Sequence, residues 1–183
     1  MTFAAPSLAL MVLPMGLLFA AATDLRRYII PNTASIALIA GFVLVYALAA
    51  MVSPEVGLAL LGEHLASGAA CFVFGFALFA FGLWGGGDGK LLAAAGLWFD
   101  WPTVVEFLLA TTVAGGLFSL LVMALWIACD QLRFTPGFER FLTQIDWARR
   151  KSDAPFGVAI AAGALVAFPS TALFHALAIA PLL

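Results

Sequence analysis

Residues 33–52 read TASIALIAGFVLVYALAAMV, an apolar run that contains no charged residue. A helix rises 1.5 Å per residue, so about 20 apolar residues cross the roughly 30 Å hydrocarbon layer of a bilayer. Similar apolar runs stand at residues 6–23, 64–84, 87–102, 103–129 and 155–181. The sequence therefore predicts an all-α polytopic membrane protein with six transmembrane helices.

The composition of the whole chain agrees with a protein embedded in lipid. Of its 183 residues, 64% are hydrophobic and 10% are charged, and the mean hydropathy is +1.12. Ordinary soluble domains carry about 25% charged residues. We expect a single membrane-embedded domain over residues 1–183, and no nucleic-acid partner.

The basic residues indicate an orientation, because Lys and Arg gather on the cytoplasmic side of membranes. With the N-terminus and the C-terminus both outside, in the periplasm, every basic residue falls in a cytoplasmic loop. We expect residues 1–22 to be retained rather than cleaved as a signal peptide, since two arginines follow at once. The eight basic residues are Arg26, Arg27, Lys90, Arg133, Arg140, Arg149, Arg150 and Lys151.

The polar stretch at residues 130–153 is the longest in the chain. Its apolar residues recur at helical spacing, which predicts an amphipathic helix lying at the cytoplasmic interface. The basic cluster at 149–151 favours contact with anionic lipid. A lid or guide for a substrate is the alternative.

Two aspartates stand where apolar sequence makes a carboxylate costly. Asp24 follows the first apolar run, and Asp88 lies in Gly85-Gly86-Gly87-Asp88-Gly89-Lys90. In the predicted topology both lie at cytoplasmic helix ends, so one site can contain both. Two carboxyls hydrolyse a peptide bond when one, ionised, takes a proton from water and the other, protonated, polarises the carbonyl. Helix-end electrostatics favour Asp24 as the first acid and Asp88 as the first base.

The residues around the two aspartates predict a shaped loop. Gly85, Gly86 and Gly87 permit positive φ angles and close backbone approach, although a flexible interhelical turn is the alternative. The fourth run is short, so either the bilayer thins locally or Asp88 sits in a water-accessible recess, and the glycines favour such a cavity. Pro31 stiffens the loop after Asp24, and Asn32 is a good N-cap for the second span. For Lys90 three roles stay open: holding the loop, tuning Asp88, or anchoring at the membrane surface.

Three motifs in this order resemble the type IV prepilin peptidase family of GxGD aspartyl proteases. They are Asp24 with Arg26-Arg27 and Ile30-Pro31-Asn32, the Gly-x-Gly-Asp motif ending at Asp88, and Pro155-Phe156-Gly157. The chain is most similar to the short members that serve tight-adherence (Flp-type) pili.

The resemblance implies that Asp24 and Asp88 are the catalytic pair of an endopeptidase. It would cut the leader from prepilins at the cytoplasmic face of the bacterial inner membrane, alongside pilus assembly components, with no metal or other cofactor. The longer members of the family carry paired Cys-x-x-Cys motifs and also methylate the new N-terminus. This chain has only Cys71 and Cys129, so no N-methyltransferase activity is expected. Gly89 also departs from the family, which has a bulkier residue there.

Two other function classes remain open from the residues alone. One is an intramembrane aspartyl protease with a non-pilin substrate. The other is a proton-coupled transporter that uses buried aspartates. No convincing repeat relates residues 1–90 to 91–183, which disfavours the transporter.

Overall fold

The computed structural model of this protein describes residues 9–52, 60–132 and 155–179. In these residues all regular structure is helical, which confirms the predicted all-α class. Most of the predicted amphipathic segment at 130–153 lies outside the described residues. The helices are α1 Val12–Arg27, α2 Asn32–Val52, α3 Leu61–Ala80, α4 Gly86–Gly96, α5 Trp101–Leu132, α6 Phe156–Ala167, the short 3-10 helix Phe168–Ser170, and α7 Ala172–Ile179.

Three helices of the described chain are long and apolar enough to cross a membrane, those at Asn32–Met51, Leu61–Ala80 and Trp101–Ala128. A fourth crossing results if the pair α6 and α7 counts as one bent span. The helices α1 and α4 have 16 and 11 residues, which is shorter than a full crossing. Each predicted apolar run thus contains a helix, but six full-length spans are not observed.

The last predicted span, residues 155–181, is formed by two helices with a break between them rather than by one straight helix. The helix axis turns by 60° between α6 and α7. Pro169, inside the 3-10 helix, has no N–H to continue an α-helical ladder, and Thr171 then adopts an extended conformation. The break lets α7 begin as a separate helix.

The short helices α4 and α6 lie at the centre of the bundle. α4 packs on α3 and α2, while α6 packs on α5 and α1, and α4 and α6 also touch each other. Leu91, Leu92 and Trp98 from α4 and its end are fully buried. In contrast, α5 exposes a continuous apolar face, as expected for a helix that faces lipid. The central position of α4 and α6 matters because both carry parts of the site described below.

The end of the bundle away from Asp88 is fixed by one buried carboxylate. Asp100 Oδ1 accepts a hydrogen bond from Thr103 N at 3.1 Å and also contacts the Thr103 hydroxyl. Asp100 Oδ2 accepts a hydrogen bond from Ala172 N at 2.8 Å. Asp100 therefore caps the first turns of two helices, α5 and α7, which would otherwise leave buried N–H groups unpaired.

Candidate active site

Asp24 is held in a buried position in the last turn of α1. Only 5% of its surface is exposed, and its Oδ2 accepts a hydrogen bond from Gly157 N at 2.8 Å. Tyr28 ends α1 in the left-handed conformation, with φ 54°, and its N–H donates to Asp24 O. Because Gly157 belongs to the first turn of α6, this contact joins two helices that are distant in sequence.

Asp88 is the third residue of α4 and is partly buried. Its Oδ2 accepts a hydrogen bond from Gly85 N at 3.2 Å. Gly85 precedes the helix in an extended conformation, so the Asp88 carboxylate caps the start of its own helix. Both aspartates are thus positioned by a backbone N–H at the N-terminal end of a central helix.

The structure brings the two aspartates into one site around Ile30. A Cβ added to Gly87 would lie 3.2 Å from Ile30 Cβ, and one added to Gly157 would lie 3.0 Å from Ile30 Cδ1. The loop after α1 is therefore clamped between the first turns of α4 and α6. Asp24 is near enough for its charge to contribute, after burial, to the raised pKa of Asp88.

The two carboxyls lie at helix ends, outside the helices that are long enough to cross a membrane. Burial, and then the nearby charge of Asp24, raise the pKa of Asp88 to about 6, although the hydrogen bond from Gly85 opposes the shift. Burial also raises the pKa of Asp24, and the hydrogen bond from Gly157 works against that rise. A pair of this kind titrates as a unit and retains one proton over a wider pH range than a single aspartate.

The glycines of the motif show the close backbone approach that was predicted, but none of them has a positive φ angle. Gly86, Gly87 and Gly89 are helical, and Gly82 is the one glycine in the described chain with positive φ. Gly89 lies against Gly75 of α3, where an added Cβ would be 3.2 Å from Gly75 O. A bulkier residue at position 89 would push α4 away from α3, which explains a glycine at this place.

Lys90 ties α4 to the start of α2. Its Nζ donates to Asn32 Oδ1 at 3.0 Å, directly after Pro31. Residues 88 and 90 lie about 200° apart around a helix of 3.6 residues per turn, so Lys90 points away from the carboxyl pair. The contact favours the first of the three roles, holding the loop that follows Asp24.

A pocket of about 200 Å³ lies between α3, α4, α5 and α6. Trp84 and Phe156, which directly precede Gly85 and Gly157 in the chain, both line it, with ring centroids 4.6 Å apart. Phe156 is seated in a notch of α5, because a Cβ on Gly115 would lie 2.5 Å from its ring. No group of three or more His, Cys, Asp or Glu side chains suited to a metal ion occurs in residues 9–52, 60–132 and 155–179.

A model of the type IV leader peptidase family matches residues 11–120, more than half of the chain, and that region contains both aspartates. The chain belongs to the type IV leader peptidase family. No curated protein and no solved structure matches it. Membership in the family confirms the resemblance and supports a membrane-associated leader peptidase, a protease of the aspartic type that acts on a prepilin.

Sequence reasoning missed two parts of this candidate site. Gly157 was noted only as part of a family motif, although its N–H holds Asp24 and it lies outside the matched region. Gly75 was not singled out at all. A signal for it exists, because the small residues Ser67, Cys71 and Gly75 recur every fourth position on α3 and mark a close helix contact.

Proposed function

We propose that this protein is a prepilin peptidase in which Asp24 and Asp88 are the catalytic pair. It hydrolyses the leader peptide from Flp-type prepilins at the cytoplasmic face of the bacterial inner membrane and does not methylate the product. The observation that carries the proposal is that Asp24, which is buried, and Asp88, which is partly buried, belong to different helix ends that both pack against Ile30. Gly85, Gly86, Gly87, Pro31, Asn32 and Lys90 support the site.

The chemistry needs one proton on the pair. The ionised carboxylate takes a proton from water as the water oxygen attacks the scissile carbonyl carbon, while the protonated carboxyl donates a hydrogen bond to the carbonyl oxygen. The proton then passes to the leaving nitrogen as the C–N bond breaks. Burial raises the pKa of both carboxyls, but the 2.8 Å hydrogen bond from Gly157 opposes the rise at Asp24, whereas the pKa of Asp88 is raised to about 6 by burial and by the charge of Asp24. We therefore assign Asp24 as first base and Asp88 as first acid, the reverse of the expectation from helix ends.

The six-crossing topology, with both termini in the periplasm, belongs to the same proposal. Arg26, Arg27 and Lys90 lie within three residues of a catalytic aspartate, which supports a cytoplasmic site under the positive-inside rule. The 11 residues of α4 cover about half of the hydrocarbon layer. The carboxyl pair is therefore placed in a wet recess open to the cytoplasm, where a leader can reach it.

Co-expression with a Flp-type prepilin tests this function. We expect the mass of the mature pilin to show loss of the leader and an unmethylated N-terminus. A pilin that keeps its full leader in the presence of this protein, while a known prepilin peptidase processes it, would contradict the proposal.

A further inference from the structure

The pocket that Trp84 and Phe156 share is lined mainly by apolar side chains. Leu78 of α3, Leu92 of α4 and Leu108 of α5 line it together with Trp84 and Phe156. At its outer edge stand exposed residues of α3 and α5, the lipid-facing helices of the bundle. A group can therefore enter it from the bilayer without crossing the core.

Three of its lining residues are linked by short stretches of chain to the catalytic carboxyls. Leu92 lies one helical turn after Asp88, on the same face of α4. Trp84 precedes Gly85, whose N–H binds Asp88, and Phe156 precedes Gly157, whose N–H binds Asp24. Two of the lining residues, Trp84 and Phe156, are thus the direct chain neighbours of the glycines that position the two carboxyls.

The lining residues of a second groove have no such connection to the two carboxyls. It lies between α2, α3 and α4 and is lined by Ile36, Ile39 and Phe72, with Lys90 at one end. Since Lys90 points away from Asp88, that groove faces the opposite side of α4. A substrate bound there would not present its peptide bond to the carboxyls.

The size of the pocket fits one large apolar side chain. An engineered apolar cavity of about 150 Å³ accommodates benzene, and this pocket has about 200 Å³. We propose that the pocket receives the apolar side chain of a substrate residue close to the cleaved bond and selects substrates by the size of that side chain. This inference rests on the proposed function. The membrane-embedded part of a prepilin is apolar, so it can supply such a side chain from the lipid side.

The test uses the full chain in detergent and a prepilin series with Ala, Leu or Phe at each position flanking the cleaved bond. Thr112→Phe narrows the pocket mouth, and Leu78→Ala enlarges the pocket. Both leave the carboxyls untouched. Val113→Phe is the matched control, because Val113 is the neighbouring exposed residue on α5 and does not line the pocket. Size-exclusion profiles confirm that each variant is folded.

We expect Thr112→Phe to lower kcat/KM about tenfold for the substrate with Phe at one flanking position and to leave the Ala substrate within about twofold. Leu78→Ala should shift the preference toward the larger side chain, and Val113→Phe should change nothing. If Thr112→Phe does not fold, the side-chain preference of Leu78→Ala alone tests the pocket assignment.

Equal losses on all substrates, or the same effect from Val113→Phe, would overturn the pocket assignment. Asp24→Asn is measured in the same assay to separate the two claims. Unchanged cleavage by Asp24→Asn would overturn the proposed function itself, whereas loss of cleavage with unmoved side-chain preference would overturn only the pocket.

Discussion

At the scale of single residues, the site depends on how a backbone N–H meets a carboxylate. Gly157 can donate to Asp24 at 2.8 Å because it has no side chain at the contact. An added Cβ would lie 2.8 Å from Asp24 Oδ2 and 3.0 Å from Ile30 Cδ1. Those distances are too short for carbon, so a methyl group must displace the carboxylate or the loop behind it.

Gly157→Ala should therefore lower kcat at least tenfold, because a small displacement of a reacting carboxyl slows the chemical step far more than it weakens substrate binding. The matched control is Gly116→Ala on α5, where an added Cβ meets nothing within 4 Å. This control should keep full activity and gain about 0.5–1 kcal/mol in the free energy of unfolding. Steady-state cleavage of a prepilin checks both, and an active Gly157→Ala variant would contradict the assigned contact.

The pH dependence of cleavage follows from the shared proton. Since burial and the charge of Asp24 raise the pKa of Asp88 to about 6, the pair loses its last proton as the pH rises through that value. We expect kcat/KM to fall on the alkaline side with an apparent pKa near 6. A lone exposed aspartate would place this limb near 4. A pH profile whose alkaline limb lies near 4, or shows no limb, would rule out the shared proton.

At the scale of elements, the position of α4 is determined by its contacts with α3, with the loop after α1 and with the start of α2. Its N-terminal turn approaches α3 through Gly75 and Gly89, and its first residues press on Ile30. Lys90 binds Asn32 on the outer side. The position of Asp88 is thus set by contacts of backbone and side chain on three sides of one short helix.

Asp100 fixes the opposite end of the bundle and should matter for stability more than for chemistry. Asp100→Ala removes the partners of Thr103 N and Ala172 N, and we expect it to cost about 2–4 kcal/mol in the free energy of unfolding. Glu106→Ala, an exposed change on the same helix α5, should stay within about 0.5 kcal/mol. Unfolding in mixed micelles measures both. Equal stability of Asp100→Ala and Glu106→Ala would show that the two caps are dispensable.

At the scale of the whole molecule, the sequence predicted the features that depend on local sequence pattern, namely the helical segments and the two unusual aspartates. Each apolar run contains a helix because backbone groups in lipid must be satisfied within their own segment. The two aspartates were recognisable because carboxylates at the edge of apolar runs are rare and costly. Hydropathy does not report where a helix breaks, so the bend at Pro169 was missed.

Contacts between distant segments were also beyond the sequence. The hydrogen bond from Gly157 to Asp24 joins residues 133 positions apart. The use of glycine for helix contact rather than for turns depends on which helix lies alongside, as Gly75 and Gly89 show. Composition and motif spacing do not predict which distant segments will lie next to each other.

The central claim is that Asp24 and Asp88 share one proton and together cut the prepilin leader. The most direct measurement replaces each by Asn, confirms by size-exclusion profile that the variant is folded, and quantifies cleavage of a prepilin by mass spectrometry. Each single replacement should abolish cleavage, because neither carboxyl supplies both acid and base. Cleavage at the wild-type rate by folded Asp24→Asn or Asp88→Asn would contradict the account.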